Sequence, residues 1–348
     1  MKRAHSLQGF LVALLLGAFS LVAQAWDRGT AVTFATLPPG TAHPEGIAAD
    51  GQGNIYVADF DVSGETAVGN VIVFDRAGRL VRKFDIAGSS ALLLGIAFHP
   101  QTPALLVIDF GNRNVLQIDL LNGTSTLFAS IPDASAGPNA LAFDPDGNVY
   151  ISDSFGGKIW RTGPAGGVAT VWVADPLLAT SGVPPFGANG LAFNKAASDL
   201  FVANTGNDTI VKIPFGAGGT PGTPEVFVNS INGADGLLID DADNLWVAAN
   251  QSDEIVVLDS SGLVIAKLGD FGGIDAHGSP IGLLFPASLV ISNGFVYVTN
   301  LSLDLRLFGL AQTTNSQWSE RVTRHTRLHG CGHRFRRCAA SSRRAASP

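Results

Sequence analysis

Four oxygen-bearing side chains lie at one phase of a repeated sequence phrase, although about 190 positions separate the first from the last. They are Glu45, Asn139, Asn189 and Asp235. Two carboxylates and two amide carbonyls form a hard, all-oxygen ligand set that suits Ca²⁺, with waters completing its shell. The set contains no His or Cys, which argues against zinc. The pattern predicts a Ca²⁺ site, with Mg²⁺ or Mn²⁺ as alternative ions and a metal-free polar channel as the competing interpretation.

The elements that must position these side chains follow from the repeat itself. Each copy contains a small residue, an apolar run, a tight turn and a second apolar run that ends in Asp or Asn. The six copies begin at His43, Leu93, Gly137, Gly187, Gly233 and Phe285. Equivalent positions recur every 45 to about 52 residues, which is the period of a four-stranded propeller blade. We therefore predict an all-β chain that forms a six-bladed β-propeller with four-stranded antiparallel blades.

The last copy is one strand short, and the segment before the first copy can supply the missing strand. Residues 31–37 have the pattern of a strand but belong to no blade of their own. We predict that this N-terminal segment is the outer strand of blade six, beside a third strand at residues 304–310. Closing the ring in this way removes the exposed sheet edges of an open structure. The propeller is then predicted to span residues 26–311.

The first strand of each propeller blade begins beside the central axis, so equivalent residues converge on one mouth of the channel. At this phase the two remaining blades carry Leu94 and the pair Ala287–Ser288. A second polar ring closes the second strand of every blade, at Asp59, Asp109, Asp153, Asn204, Asn250 and Asn300. Because every blade has this second ring, we interpret it as turn and cap chemistry rather than as a site.

Charge divides the chain into unlike parts. Residues 26–311 carry 12 basic and 28 acidic side chains, which argues against a nucleic-acid partner for the body. The body contains no cysteine, so its stability cannot depend on disulfides. Residues 312–348 carry eight Arg, one Glu and both cysteines of the chain. We interpret this basic tail as a disordered extension or the product of a reading-frame change, in preference to a nucleic-acid or metal-binding segment.

Residues 1–25 predict export. A short basic start precedes the apolar stretch Phe10–Ala23, and the residues up to Ala25 give a small-x-small cleavage pattern, as in secretory signal peptides. The apolar run is shorter than the roughly 20 residues that a membrane helix needs. We expect cleavage near Ala25–Trp26 and a monomeric, secreted or periplasmic protein without a stable membrane span. An uncleaved membrane anchor is the alternative.

Short phrases surround the four candidate ligands: P-E-G at 44–46, P-N-A at 138–140, A-N-G at 188–190 and A-D-G at 234–236. With them the body of the chain resembles the SMP-30/gluconolactonase family, also called LRE-like, of six-bladed propeller hydrolases. The resemblance implies a divalent metal held by a Glu, two Asn and an Asp, which correspond to Glu45, Asn139, Asn189 and Asp235. Sugar lactonases of that family place an Arg two residues before the blade-three Asn, whereas this chain has Gly137 there.

The predicted rim of the mouth is apolar. Leu94, Phe186 and Phe285 lie in it, and together with Asn139 they are our candidate substrate-binding residues. An apolar lining desolvates an apolar lactone or ester better than it does a sugar acid. We therefore expect a small-molecule substrate of that kind, although ordinary loop packing also explains apolar rim residues.

Two residues are candidates for catalysis. Asp235 is expected to be a metal ligand that also acts as general base toward water or as nucleophile. His43 precedes Glu45 by two residues and is a candidate base or substrate donor, with a structural loop histidine as the alternative. The chain has no G-x-S-x-G elbow that would indicate a serine hydrolase.

These observations favour a secreted, Ca²⁺-dependent hydrolase of the lactonase or esterase type. A different function class stays open, because residues 202–210 also resemble NHL repeats, which are often binding modules. The alternative is therefore a non-catalytic NHL-like propeller that binds a partner in the cell envelope. A lyase or synthase on the same scaffold is a third possibility, since a fold alone does not define a reaction.

Overall fold

The computed structural model describes residues 26–276, 279–303 and 324–329, the last of these as backbone. The described residues are almost entirely β-strand and turn, with three 3₁₀ helices of three residues each at Pro176–Leu178, Ala217–Gly219 and Asn250–Ser252. No helix among them is long and apolar enough to cross a membrane. The signal-peptide prediction for residues 1–25 falls outside the described residues.

The described strands form six blades of four antiparallel strands each, and a short parallel pairing joins blades two and three into one eight-stranded sheet. Blade one contains Pro44–Ala49 (β2), Ile55–Asp59 (β3), Asn70–Phe74 (β4) and Leu80–Asp85 (β5). Blade two contains Leu93–Phe98 (β6), Leu105–Asp109 (β7), Asn114–Ile118 (β8) and Ser125–Ser130 (β9). Blade three contains Pro138–Phe143 (β10), Val149–Asp153 (β11), Lys158–Gly163 (β12) and Gly166–Ala174 (β13), and β13 also pairs briefly with β9.

The second half of the ring repeats this arrangement. Blade four contains Ala188–Phe193 (β14), Asp199–Asn204 (β15), Thr209–Pro214 (β16) and Glu225–Asn229 (β17). Blade five contains Ala234–Ile239 (β18), Leu245–Ala249 (β19), Glu254–Leu258 (β20) and Val264–Leu268 (β21), followed by a hairpin of Phe271–Ile274 (β22) and Pro280–Gly282 (β23). Blade six contains Pro286–Ser292 (β24), Phe295–Asn300 (β25), Arg324–His329 (β26) and Thr30–Thr36 (β1).

The first strands of the six blades form the wall of the central channel. Strand β2 contacts β6, β6 contacts β10, β10 contacts β14, β14 contacts β18, β18 contacts β24, and β24 returns to β2. The ring therefore closes on itself, and the predicted propeller of four-stranded antiparallel blades is confirmed. The N-terminal strand β1 is the outer strand of blade six, where the sequence placed it.

The third strand of blade six differs from the prediction. It is β26, Arg324–His329, which pairs with β25 on one side and with β1 on the other. The sequence-based prediction placed these residues in the tail 312–348, because of the clustered Arg there and the abrupt change from the composition of the body. Backbone pairing does not depend on such composition, so the composition could not reveal this strand. The predicted strand at residues 304–310 lies outside the described residues, as does the remainder of the tail.

The core lies between neighbouring blades. Strands β3, β7, β11 and β19 are buried along their whole length, because each sheet is covered on both faces by the sheets beside it. These strands therefore read as continuous apolar runs rather than as alternating ones. Between blades one and six, for example, Ile55 and Phe74 pack with Tyr297. The outermost strand of blade one, β5, is by contrast mostly exposed to solvent.

Every inner strand has a β-bulge at the same phase. The pairing register shifts between Pro44 and Ile47 in β2 and at the equivalent step in the five other inner strands. We call the first residue inside each bulge the axial residue. The six axial residues are Glu45, Leu94, Asn139, Asn189, Asp235 and Ala287. A bulge bends the strand and turns the side chain within it, so the same step of each blade directs one residue toward the axis.

The residue after the axial position is glycine in four blades, at Gly46, Gly95, Gly190 and Gly236. A Cβ atom at any of them would overlap the backbone of the next blade's axial residue. The overlapped residues are Leu94, Asn139, Asp235 and Ala287, respectively. The missing side chain thus lets adjacent inner strands approach closely, and this brings successive axial residues together around the channel.

We predict that Gly190→Ala lowers the free energy of unfolding by about 2 kcal/mol, because its Cβ would overlap the carbonyl oxygen of Asp235. Gly51→Ala is the matched control, since no described atom lies within 4 Å of a Cβ there, and it should change the free energy by less than about 0.5 kcal/mol. Urea unfolding followed by circular dichroism measures both. Equal effects of the two substitutions would contradict the close-packing argument.

Candidate functional site

The structure brings all four predicted metal ligands to the axis. Glu45, Asn139, Asn189 and Asp235 each occupy the bulge of an inner strand, and each is 5% exposed or less. Leu94 and Ala287 complete the ring at 3% and 0% exposure. Residues far apart in sequence are therefore close in space because six copies of one bulged strand start at the same end of the channel.

The two carboxylates of the ring are buried with an unpaired oxygen each. Oε2 of Glu45 and Oδ1 of Asp235 have no hydrogen-bond partner among the described residues. Burial raises the pKa of Glu45 well above its usual value, and the nearby charge of Asp235 raises it further. Burial also raises the pKa of Asp235 to about 7, although hydrogen bonds from Asn250 and Asn189 act in the opposite direction. Two such carboxylates are costly to ionise unless a cation lies between them.

The amide of Asn189 is oriented by its own blade. Its Nδ2 donates to Oγ1 of Thr205 at 3.0 Å, and that hydroxyl donates to the carbonyl oxygen of Ala234 at 2.8 Å. Because the nitrogen is engaged by Thr205, the oxygen of Asn189 is the atom that a cation would take. Asn139 lies at the equivalent position of blade three. The donor set of two carboxylates and two amides thus fits a hard divalent cation.

Asn250 belongs to the site, although the sequence-based prediction placed it in the strand-end ring. Its Nδ2 donates to Oδ2 of Asp235 at 3.1 Å. The sequence aligned it with the strand-end ring, but Ala234 pairs with Ala249, so Ala249 takes the ring position and Asn250 follows it. Asn250 lies one residue beyond the ring position. Counting residues from the start of the apolar run Leu245–Ala249, rather than matching the polar residue type, would have revealed this offset.

The other members of the strand-end ring have the structural role that was expected. Oδ1 of Asp59 accepts the backbone N–H of Ala42 at 2.8 Å, and Oδ1 of Asp153 accepts that of Gly137 at 2.8 Å. Asn300 accepts the N–H of Leu284 at 3.1 Å. Each of these side chains fixes the segment that leads into the inner strand of its own blade, and so holds the axial residue in place.

The position after the ring divides the mouth into two halves. Its six residues are Phe60, Phe110, Ser154, Thr205, Asn250 and Leu301. Blades three to five are polar here, and blades six, one and two are apolar. The hydroxyl of Ser154 donates to the carbonyl oxygen of Ala188 at 2.8 Å, as Thr205 does to the equivalent carbonyl of the next blade. The polar half therefore braces the inner strands.

Of the predicted substrate-binding residues, Leu94 and Phe285 lie in the apolar half, whereas Asn139 and Phe186 belong to blades three and four. Leu94 and Phe285 belong to one buried cluster with Phe60. Phe285 has a left-handed backbone with φ +48°, and its N–H donates to Oδ1 of Asp253 at 2.8 Å. Strained backbone of this kind is costly and is held by its surroundings. Phe186 lies in the loop before β14, with its ring stacked on another aromatic ring at 5.6 Å.

His43 is buried at the boundary between blades one and six. Its Nδ1 lies 2.9 Å from the carbonyl oxygen of Leu301, which requires a proton on Nδ1. The carbonyl of His43 accepts the N–H of Phe60 at 2.8 Å. These contacts account for a structural role; its catalytic role stays a prediction. Among the described residues no cluster of three or more His, Cys, Asp or Glu could hold a metal. A cation at the axial ring would therefore need the amide oxygens of Asn139 and Asn189 beside the two carboxylates.

Comparison with known proteins confirms the predicted resemblance. The profile described as SMP-30/Gluconolactonase/LRE-like region matches residues 185–269, a segment that includes Asn189 and Asp235. No curated protein matches the sequence.

Solved structures share the fold at low sequence identity. A luciferin-regenerating enzyme matches with a TM-score of 0.63 and 15% identity, covering 84% of this chain and 92% of its own. A gluconolactonase from Xanthomonas campestris matches with a TM-score of 0.58 and 17% identity, covering 80% and 88%. A calcium-binding regucalcin from Agrobacterium tumefaciens matches with a TM-score of 0.60 and 17% identity, covering 85% and 94%. The architecture of this chain is therefore that of these propellers.

The raised carboxyl pKa values predict how stability depends on pH. A carboxyl whose pKa is higher in the folded state stabilises that state at low pH, and this contribution is lost as pH rises through the folded value. For Asp235 the window runs from about 4, its unfolded value, to about 7. We expect the metal-free protein to lose more than about 1 kcal/mol across it, and Ca²⁺ to restore the loss.

Asp235→Asn separates this effect from other groups. Burial also raises the pKa of Asp59 to about 7, so part of the pH dependence should survive in the variant. The difference between wild type and variant isolates the axial pair. Thermal unfolding at pH 5, 6, 7 and 8, with chelator and with Ca²⁺, measures it. Identical pH profiles for the two proteins would contradict the assignment.

Proposed function

We propose that this propeller, whose residues 185–269 match the SMP-30/gluconolactonase/LRE-like region, is a metal-dependent hydrolase of lactones or related esters that uses Ca²⁺ at its axis. The observation that carries the proposal is the pair of unpaired buried oxygens, Oε2 of Glu45 and Oδ1 of Asp235. A folded protein rarely leaves two carboxylate oxygens buried without partners. A divalent cation satisfies both and balances their charge.

The proposed ligands are Glu45 and Asp235 through carboxylate oxygens, and Asn139 and Asn189 through amide oxygens. Bound Ca²⁺ supplies polarisation of the substrate carbonyl and stabilisation of the negative charge that develops on its oxygen. The absence of nitrogen and sulfur donors from the axial ring favours Ca²⁺ over zinc, with Mg²⁺ and Mn²⁺ as alternative ions. The structural match to a calcium-binding regucalcin, at 17% identity, supports the fold of this chain but not the identity of its ion.

Asp235 is the residue proposed to move a proton. Asn250 holds its Oδ2 through a 3.1 Å hydrogen bond, which fixes the orientation of the carboxylate. As general base, the carboxylate is proposed to take a proton from the water that attacks the carbonyl carbon, while the C–O bond to the alcohol oxygen breaks and that oxygen leaves protonated. As nucleophile, it would instead form an acyl anhydride with loss of the same alcohol, and water would then hydrolyse the anhydride to release the acid. Leu94 and Phe285 exclude water from the apolar side of the mouth, and Asn139 is proposed to orient the substrate.

We propose that the protein acts outside the cytoplasm. Residues 1–25 have the pattern of a secretory signal peptide, and the described residues that follow contain no cysteine. The body therefore folds without disulfides in either redox environment. Export to the periplasm or the medium is the proposal, and the N-terminal sequence of the mature protein, expected to begin at Trp26, checks it.

Calorimetric titration of Ca²⁺ into the full chain, stripped by chelator, tests the metal site. Saturable binding is expected for the wild type and its loss for the double variant Glu45→Gln, Asp235→Asn. Asp241→Asn is the matched control, because Asp241 is fully exposed and pairs with Lys195 on the surface. Binding that is retained in the double variant would refute the axial site.

Turnover of simple lactones and esters tests the reaction. Asp235→Asn is expected to lower kcat by about 100-fold or more, as loss of a general base does, while Asp241→Asn keeps wild-type rates. Circular dichroism checks that both variants are folded. If the wild type neither binds Ca²⁺ nor hydrolyses any lactone or ester, the hydrolase proposal fails and a non-catalytic NHL-like binding propeller replaces it.

A further inference from the structure

Four phenylalanine rings form a continuous row across blades one to four at the mouth, and we propose that this row binds an apolar, aryl-bearing substituent of the substrate. We call it the aromatic row, and it consists of Phe60, Phe110, Phe155 and Phe186. The inference rests on the proposed function for the position of the reacting carbonyl. It adds the substrate class: a lactone or ester that carries an aromatic group rather than a sugar acid.

The rings of the aromatic row are in successive contact. Phe60 and Phe110 lie 6.1 Å apart, centroid to centroid, at 84°, and Phe110 lies 5.6 Å from Phe155 at 77°. Phe155 and Phe186 are stacked, with centroids 5.6 Å apart and planes 27° from parallel. Edge-to-face and offset stacked pairs are the favourable aromatic geometries, so a further ring can pack on the exposed face of Phe155 in the same way.

The row starts beside the axial site, and its third ring is exposed to solvent. Phe60 directly follows Asp59, which pairs with Pro44 next to Glu45, and it packs in one cluster with Leu94. Phe60 is 6% exposed, whereas Phe155 is 52% exposed. A large aromatic side chain that stays half exposed at a functional mouth has apolar surface available for a ligand.

The exposed ring of Phe155 packs directly over Gly137. A Cβ atom added at position 137 would come within 2.7 Å of the ring. Any larger residue at position 137 would displace Phe155. The surface beside the Asn139 strand is therefore an apolar ring, and it presents no charged or hydroxyl group to a polyol.

The outer end of the row is fixed before any ligand binds. The carbonyl of Phe186 accepts the N–H of Gly206 at 2.8 Å. Gln251 holds the same loop by donating to the carbonyl oxygen of Val183 at 2.9 Å. Binding an aryl group on this platform therefore costs little ordering of the protein, which is the advantage of a preorganised site.

The polar half of the mouth has few free hydrogen-bond donors for the oxygens of a sugar. The hydroxyls of Ser154 and Thr205 donate to backbone carbonyls of neighbouring inner strands, and the amide of Asn250 donates to Asp235. These donors are already used within the protein. Discrimination among substrates thus falls to the aromatic row, which runs from Phe60 and Phe110 in the apolar half to Phe155 and Phe186 in blades three and four.

Two matched pairs of probes test the inference. The first is γ-phenyl-γ-butyrolactone against γ-butyrolactone, compared by kcat/KM. The second is 5-phenyl-2-pyrrolidinone against 2-pyrrolidinone, which are not hydrolysed and are compared by calorimetric binding. We expect the phenyl compound to be favoured about tenfold in each pair, because burying one ring on an apolar platform yields a gain of that size.

Phe155→Ala and Phe186→Ala are expected to lower both preferences about fivefold. Phe155→Leu keeps an apolar side chain without the stacking surface, so it should retain an intermediate preference. Leu121→Ala is the surface control, because Leu121 is 85% exposed in a turn of blade two, away from the row, and its preferences should match the wild type. Circular dichroism confirms that each variant is folded.

The outcomes separate this inference from the proposed function. Turnover of both lactones without a phenyl preference, or with one that Phe155→Ala and Phe186→Ala leave unchanged, overturns the aromatic row and keeps the hydrolase. Binding of the phenyl lactam that depends on these residues, without turnover of either lactone, supports the row and overturns the hydrolase. Absence of both turnover and phenyl-lactam binding overturns both.

Discussion

The close approach of six inner strands around one axis is the constraint on which the rest of the structure depends. Each inner strand carries a bulge at the same step, and a glycine in four of the blades lets the neighbouring backbone move in against it. The bulge turns one side chain per blade inward. What the propeller does at its axis is therefore decided by six residues, while the blades around them only need to pack.

Burial at this axis gives its carboxylates their chemistry. Glu45 and Asp235 come from blades one and five, yet they share one desolvated space in which each raises the cost of ionising the other. An ordinary core would avoid this arrangement, because apolar residues fill such a space without penalty. Leu94 and Ala287 show that the axial position accepts apolar residues in this same chain. The placement of acids and amides in the other four blades is thus best explained by a ligand that they hold in common.

The repeat, the closing strand β1 and the axial residues could be predicted from the sequence. All three follow from the period of the repeat, which can be recognised without knowing the fold. Asn250 was assigned to the wrong ring because one residue type recurs at two adjacent positions, and only the pairing of Ala234 with Ala249 resolves them. Strand β26 was missed because the Arg-rich composition of the tail gave no strand pattern, whereas the backbone of Arg324–His329 pairs with β25 and β1. The aromatic row was also invisible, since Phe60 and Phe110 follow the strand ends while Phe155 and Phe186 come from different steps of their repeats.

The mouth of the channel is asymmetric because the six repeats differ at one position. Six equivalent blades would make a symmetric opening, which cannot hold an asymmetric substrate in one orientation. Here the position after the strand-end ring is polar in blades three to five and apolar in blades six, one and two, so that Glu45 is the one charged axial residue on the apolar side. In the proposed function, a carbonyl compound with an apolar substituent binds with its polar end toward Asp235 and its substituent on the exposed part of the aromatic row. Divergence at one position of a sixfold repeat therefore makes the mouth asymmetric while the blades keep the same strand arrangement.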